Sequence, residues 1–151
     1  SGLKQLTRLV LHSDQMTGSG LNSFAEAPEL REFGFSGSPA GKATLKQLDQ
    51  LPALAVLNLS THTVNDAVLQ TMPDLPQLEA LSLKSSTITD KGLDALVHVK
   101  NLSELDLQFT EITNSGLTRL EPLQQLRLLV LGYPKHHSCD ATFRKIFCLL
   151  R

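Results

Sequence analysis

The same apolar pattern returns every 24 residues along this chain. Leu6, Leu30, Leu54, Leu78, Leu102 and Leu126 each begin a unit, and no drift accumulates between the first and the last. Three residues on stand Leu9, Phe33, Leu57, Leu81, Leu105 and Leu129; five residues on stand Leu11, Phe35, Leu59, Leu83, Leu107 and Leu131. A unit this short cannot cover its own apolar face. Only stacking on a neighbour of the same shape buries it, so the chain must fold as a stack of coils. The 151 residues, 1–151, are then one solenoid domain without a central globular core. Apolar residues make up 41% of the chain, but aromatics only 5% and Trp none, which suits layers of stacked leucine.

Within a unit the period changes. Leu81-Ser82-Leu83 alternates apolar and polar residues, the signature of a short strand with two leucines facing inward. A polar turn, Ser85 to Asp90, follows. Leu93, Leu96 and Val99 then recur at three-residue spacing, which predicts a short helix or 3₁₀ segment on the outer side. Asp66, Asp90 and Asn114 stand where these helices should begin, and are expected to accept from free N–H groups of the first turn. Gly20, Gly92 and Gly116 follow two residues later in their units and are expected to allow close packing. Pro28, Pro52 and Pro76 close the helices, since proline cannot continue one. Asp14, Ser38, His62, Ser86 and Thr110 share one register position. Their side chains are expected to bond backbone groups of adjacent turns.

Units four and five read Leu-Ser-Leu-x-x-Ser-x-Ile-Thr-Asp-x-Gly-Leu and Leu-Asp-Leu-x-x-Thr-x-Ile-Thr-Asn-x-Gly-Leu. This resembles the Ile-Thr-Asp-x-Gly-Leu type of leucine-rich repeat, which is similar to the cysteine-containing repeats of F-box proteins, shortened by about two residues, and to many bacterial repeat proteins. The resemblance covers residues 3 to 133, and no F-box is present. It implies an α/β fold: a right-handed leucine-rich-repeat solenoid, or horseshoe, with a parallel sheet of about six strands on the concave face. Two units depart from the pattern. Unit two has Phe33 and Phe35 for leucines and a turn, Gly37 to Lys42, that lacks the Ile and the Asp, so a looser outer loop is expected. Unit six loses the motif after Leu131. Its end, residues 134–151, carries Phe143, Ile146, Phe147 and Leu150 at helical spacing, which predicts an amphipathic C-terminal cap.

Net charge is −1, so no basic excess draws nucleic acid or anionic lipid, and no apolar run is long enough to span a bilayer. The chain opens inside a repeat, since Leu3 already holds a helix position, and is expected to extend upstream. Cys139 and Cys148 are the only cysteines. On a helix they would lie about 13 Å apart, beyond the roughly 7 Å reach of a disulfide, which favours free thiols and an intracellular setting.

Alternation along each strand turns the third, fifth and seventh residues of the units to the concave face. The third are Arg8, Glu32, Val56, Ala80, Glu104 and Leu128; the fifth are Val10, Gly34, Asn58, Ser82, Asp106 and Val130. The seventh are His12, Ser36, Ser60, Lys84, Gln108 and Gly132, with Phe109 and Tyr133 at the rim beyond. The middle is small and polar. The C-terminal end gathers Leu128, Val130, Phe109 and Tyr133 beside Glu104 and Asp106, an apolar patch with an acidic border that suits a protein partner. No convergent acid, base and nucleophile is evident, so no enzyme is expected. No cofactor site is apparent either. Gly37 to Thr44 fails the spacing of a phosphate-binding loop. His136, His137 and Cys139 have metal-ligating side chains but no matching second cluster, so no metal site is assigned. The leading expectation is a non-catalytic protein–protein interaction module. The alternatives are the recognition arm of a larger regulatory protein, such as a ubiquitin-ligase subunit or kinase, and a small metal- or thiol-dependent activity in the last unit.

Overall fold

A computed structural model of the chain describes residues 3–12, 27–36 and 45–132. Six strands form one all-parallel sheet in sequence order: β1 (Arg8–His12), β2 (Glu32–Ser36), β3 (Val56–Asn58), β4 (Ala80–Ser82), β5 (Glu104–Asp106) and β6 (Leu128–Val130). The register steps by 24 at every pairing: Leu9 lies beside Phe33, Phe33 beside Leu57, Leu57 beside Leu81, Leu81 beside Leu105, and Leu105 beside Leu129.

One backbone device recurs at the entry of each strand. The Thr7 carbonyl accepts from both Arg31 N–H and Glu32 N–H, at 2.9 and 3.0 Å. The Arg31, Ala55, Glu79 and Ser103 carbonyls do the same for the following units. A tight turn precedes each entry: Leu30 N–H donates to Ala27 C=O, Leu54 to Leu51 and Leu78 to Leu75. Pro28, Pro52 and Pro76 fall at the second position of these turns, where their fixed φ is already correct. Their work is to turn the chain into the strand as well as to bar a longer helix.

The outer side is built from short helical turns. Leu93 and Leu96 are buried along a 3₁₀ segment, Gly92–His98, with buried Val99 just after it; Leu117 and Leu120 are buried along another, Gly116–Leu120. Three residues per turn put such positions on one face. These segments begin at Gly92 and Gly116, two residues beyond the expected Asp90 and Asn114. At Asp66–Leu69 the turn is α-helical, and Asn65 caps it by accepting from Val68 N–H at 3.0 Å.

Asp66 and Asp90 therefore do not cap their own helices, contrary to the sequence expectation. Each reaches the next coil. Asp66 Oδ1 accepts from Thr89 N–H at 2.8 Å and Oδ2 from Thr89 Oγ1 at 2.6 Å. Asp90 holds Thr113 in the same way, at 2.8 and 2.6 Å. A Cβ on Gly92 would stand 2.6 Å from Asp66 Oδ1, and one on Gly116 would overlap the Asp90 carboxylate. The Thr-Asp-x-Gly motif is thus one inter-coil rung: the Asp of one unit needs the Thr and the bare Gly of the next. Single parallel bridges, Asn65 to Thr87 and Thr89 to Glu111, flank the buried Ile88 without forming a strand there.

The shared turn position behaves less uniformly than expected. His62 Nδ1 bonds the Ser85 carbonyl of the next coil at 2.8 Å. Thr110 Oγ1 instead donates within its own unit, to Leu107 C=O at 2.7 Å, and the buried Ser86 hydroxyl has no partner among the described residues. The looser loop of unit two, Gly20, Asp14, Ser38, the 134–151 cap, both cysteines and the His136, His137 and Cys139 tract lie outside the described residues.

The core is a file of leucines with Phe33 and Phe35 in unit two, rings 6.2 Å apart. Leu105→Ala is expected to cost about 2–5 kcal/mol, whereas Glu104→Ala, its exposed neighbour, should change stability by under about 0.5 kcal/mol. Equal losses in urea melts would contradict the register. The rung gives a coupled expectation. Gly116→Ala alone should lose about 1.5 kcal/mol by displacing Asp90 from Thr113, and little more once Asp90→Ala is already present. Additive losses in that double-mutant cycle would contradict the rung.

Candidate functional site

The pleat leaves the third and fifth residues of each unit on the open side of the sheet, and their surroundings differ along the stack. At the N-terminal end Arg8 Nε bonds Glu32 Oε1 at 2.8 Å, so the two charges neutralise each other across neighbouring strands. In the middle, Ser60 Oγ donates to Asn58 Oδ1 at 2.6 Å and lies 3.1 Å from Ser82 Oγ. These polar groups are satisfied among themselves.

The C-terminal end is otherwise. Glu104 lies beside Ala80 on one strand and Leu128 on the other, and Asp106 lies beside Ser82 and Val130. Glu104 is exposed and makes no ion pair among the described residues. Leu128 is 48% exposed; Val130 is half-buried. Asp106 is less free than its neighbour. Its Oδ1 accepts from Gln108 N–H at 2.9 Å, as Asn58 Oδ1 accepts from Ser60 N–H at 3.0 Å, so this position steers the chain off the strand. Both carboxylates lie on this side of the sheet, Glu104 open and Asp106 oriented by its bond to Gln108 N–H.

Phe109 is the residue on which the site turns. It is 56% exposed, and its backbone has φ 57°. Ser85, one unit earlier, has φ 62°. Both occupy the third position of the four-residue turn that leaves the strand, closed in unit four by Ser86 N–H donating to Leu83 C=O at 3.1 Å. Glycine or asparagine is ordinary there, because a Cβ crowds the carbonyl in the left-handed region. A phenylalanine held in that conformation and not buried is a local strain with no packing return of the usual kind. Lys84 from the preceding coil sets its Nζ 5.6 Å from the ring centroid. The sequence reading missed this contact, although the 25-residue separation, one period plus one residue, could have indicated it. Tyr133, the expected second aromatic, lies outside the described residues.

Among the described residues no cluster of three His, Cys, Asp or Glu side chains could hold a metal, and no helix is long and apolar enough to cross a membrane.

Comparison with known proteins agrees with this architecture. A family profile described as Leucine Rich repeat matches residues 75–97 and 99–120. Internalin C2 from Listeria monocytogenes superimposes with a TM-score of 0.62 at 24% identity, over 85% of this chain and 53% of its own. The chain has the fold of a leucine-rich-repeat solenoid. A second Listeria monocytogenes internalin matches with a TM-score of 0.55 at 16% identity, over 98% of this chain and 46% of its own. Leiomodin-1 actin-binding site 2 matches with a TM-score of 0.53 at 18% identity, over 98% of this chain and 80% of its own. This leucine-rich-repeat chain spans about half the length of the internalin structures it resembles. No curated protein matches it by sequence.

The strain at Phe109 has a simple signature. Phe109→Gly and Phe109→Ala remove the same ring, but only Gly relieves the left-handed backbone. The Gly variant is expected to be the more stable by about 1 kcal/mol, a melting temperature about 2–4 °C higher. A lower melting temperature for Gly than for Ala would contradict the conformation.

Proposed function

We propose that this leucine-rich-repeat domain is a non-catalytic protein-binding module, and that its contact site is the C-terminal end of the open sheet face. Phe109, Leu128, Val130, Glu104 and Asp106 supply the contact, and Tyr133, one 24-residue period after Phe109 in the sequence, is proposed with them. The observation that carries this reading is Phe109: an aromatic ring kept in solvent at the expense of backbone strain. Binding residues are where such strain is tolerated, because the gain comes on association.

The polar groups elsewhere on the face support the same choice. The Arg8–Glu32 pair and the Asn58, Ser60 and Ser82 cluster bond one another. The end around Leu128 offers exposed apolar surface next to Glu104, which has no ion-pair partner among the described residues. Leucine-rich-repeat domains are in general protein-binding scaffolds, and the leiomodin-1 domain is named for binding actin. At 18% identity that match lends the scaffold and none of its contacts.

Affinity capture from the source cell, with the domain as bait, tests the reading. Phe109→Ala combined with Leu128→Ala is expected to reduce retention of the specific partner at least about tenfold, or ~1.4 kcal/mol, with the cooperative melt preserved. Undiminished retention by the folded double variant would place the contact elsewhere.

A further inference from the structure

We infer that the partner segment received at this end of the face is cationic and amphipathic, setting a Lys or Arg against Glu104 beside an apolar side chain seated on Leu128 and Val130. This rests on the proposed contact site and adds the chemistry of what enters it.

The strand register makes the case. Glu104 and Leu128 are cross-strand partners, as are Asp106 and Val130. Neighbouring strands run about 4.8 Å apart, and same-face residues along one strand about 6.7 Å apart. Any side chain that covers Leu128 must therefore displace water from the Glu104 carboxylate as well. An ionised carboxylate stripped of water and left unpaired costs several kcal/mol, more than covering one leucine returns. Among the described residues no cation forms an ion pair with it. Arg8, four strands away, is engaged with Glu32, and Arg119 with Asp94 on the outer side. Lys84 is drawn to the Phe109 ring. A basic group on the partner would answer that charge, whereas an acidic partner would be rejected at the same place.

The other end of the site has the opposite preference. Lys84 follows β4, and its ammonium over Phe109 puts a positive charge at that end, beyond Asp106. A second cation would be repelled there. The site thus has a direction: basic residue toward the start of β5 and β6, apolar residue over Leu128 and Val130, and no basic residue at the Phe109 end.

A phage-displayed library of linear random peptides, selected against the whole protein, tests this. The expected winners combine Lys or Arg with a neighbouring large apolar residue. As labelled synthetic peptides they should bind Glu104→Lys at least about tenfold more weakly, and regain binding when their basic residue is changed to Glu. Glu104 is exposed, so the Glu104→Lys protein should melt as the wild type does. Peptides that lose binding to Phe109→Ala but ignore Glu104→Lys, or winners rich in acidic residues, would overturn the charge assignment and leave the contact site standing. Peptides indifferent to both substitutions, or no enrichment at all, would overturn the inference together with the site beneath it.

Discussion

A single carbonyl at the entry of each strand, accepting two successive N–H groups from the next coil, sets the spacing on which this structure depends. Thr7, Arg31, Ala55, Glu79 and Ser103 provide it in turn, 24 residues apart. Because that spacing does not slip, leucine stacks on leucine at two inward positions per strand, and every outward position falls into a straight row. A one-residue slip would turn each leucine to solvent. The side-chain rungs reinforce the same spacing from the other side of the coil. Asp66 ties Thr89, Asp90 ties Thr113, and the bare Gly92 and Gly116 let the carboxylates in. The motif that marks these units is therefore a statement about two coils at once.

That rigidity gives the open face its meaning. Rows of outward residues are fixed in position by the stack and are otherwise unconstrained, so what occupies them reflects something besides folding. Over the first four strands the polar residues largely bond one another. Over the last two, a carboxylate with no ion-pair partner among the described residues sits beside the exposed Leu128 and the half-buried Val130, and a phenylalanine stands in solvent on a left-handed backbone. Val10 and Val56 are each 38% exposed, but both belong to the self-satisfied part of the face, beside the Arg8–Glu32 pair. The contrast between the two ends, more than the presence of any one residue, separates a contact site from ordinary surface.

The leucine period made the strands, their order and the inward and outward faces legible in advance, because each follows from a local pattern repeated without drift. The rungs were not legible in that way. Asp66 and Asp90 precede helical turns, where an acidic side chain ordinarily caps its own helix. Only the stacked coil brings Thr89 closer to Asp66 than the free N–H groups of its own turn. The left-handed backbone at Phe109 was hidden for a different reason. Sequence assigns such conformations to Gly or Asn, so an aromatic there reads as a rim residue and its strain is unseen. Asp106 reads in the sequence as a border charge, and its position at the end of a short strand also gives it the same turn-steering bond that Asn58 makes. Interactions one period away, such as Lys84 over Phe109, need the register first and the side-chain reach second.

The central claim is that one end of an otherwise regular face is the working end, and the face carries its own controls. Methyl-resolved NMR of the protein titrated with its captured partner would report on both ends in one spectrum. Leu128 and Val130 methyl resonances should shift or broaden at substoichiometric partner, while those of Val10 and Val56 on the same face stay in place. Movement of Val10 and Val56 with Leu128 and Val130 undisturbed would contradict the account.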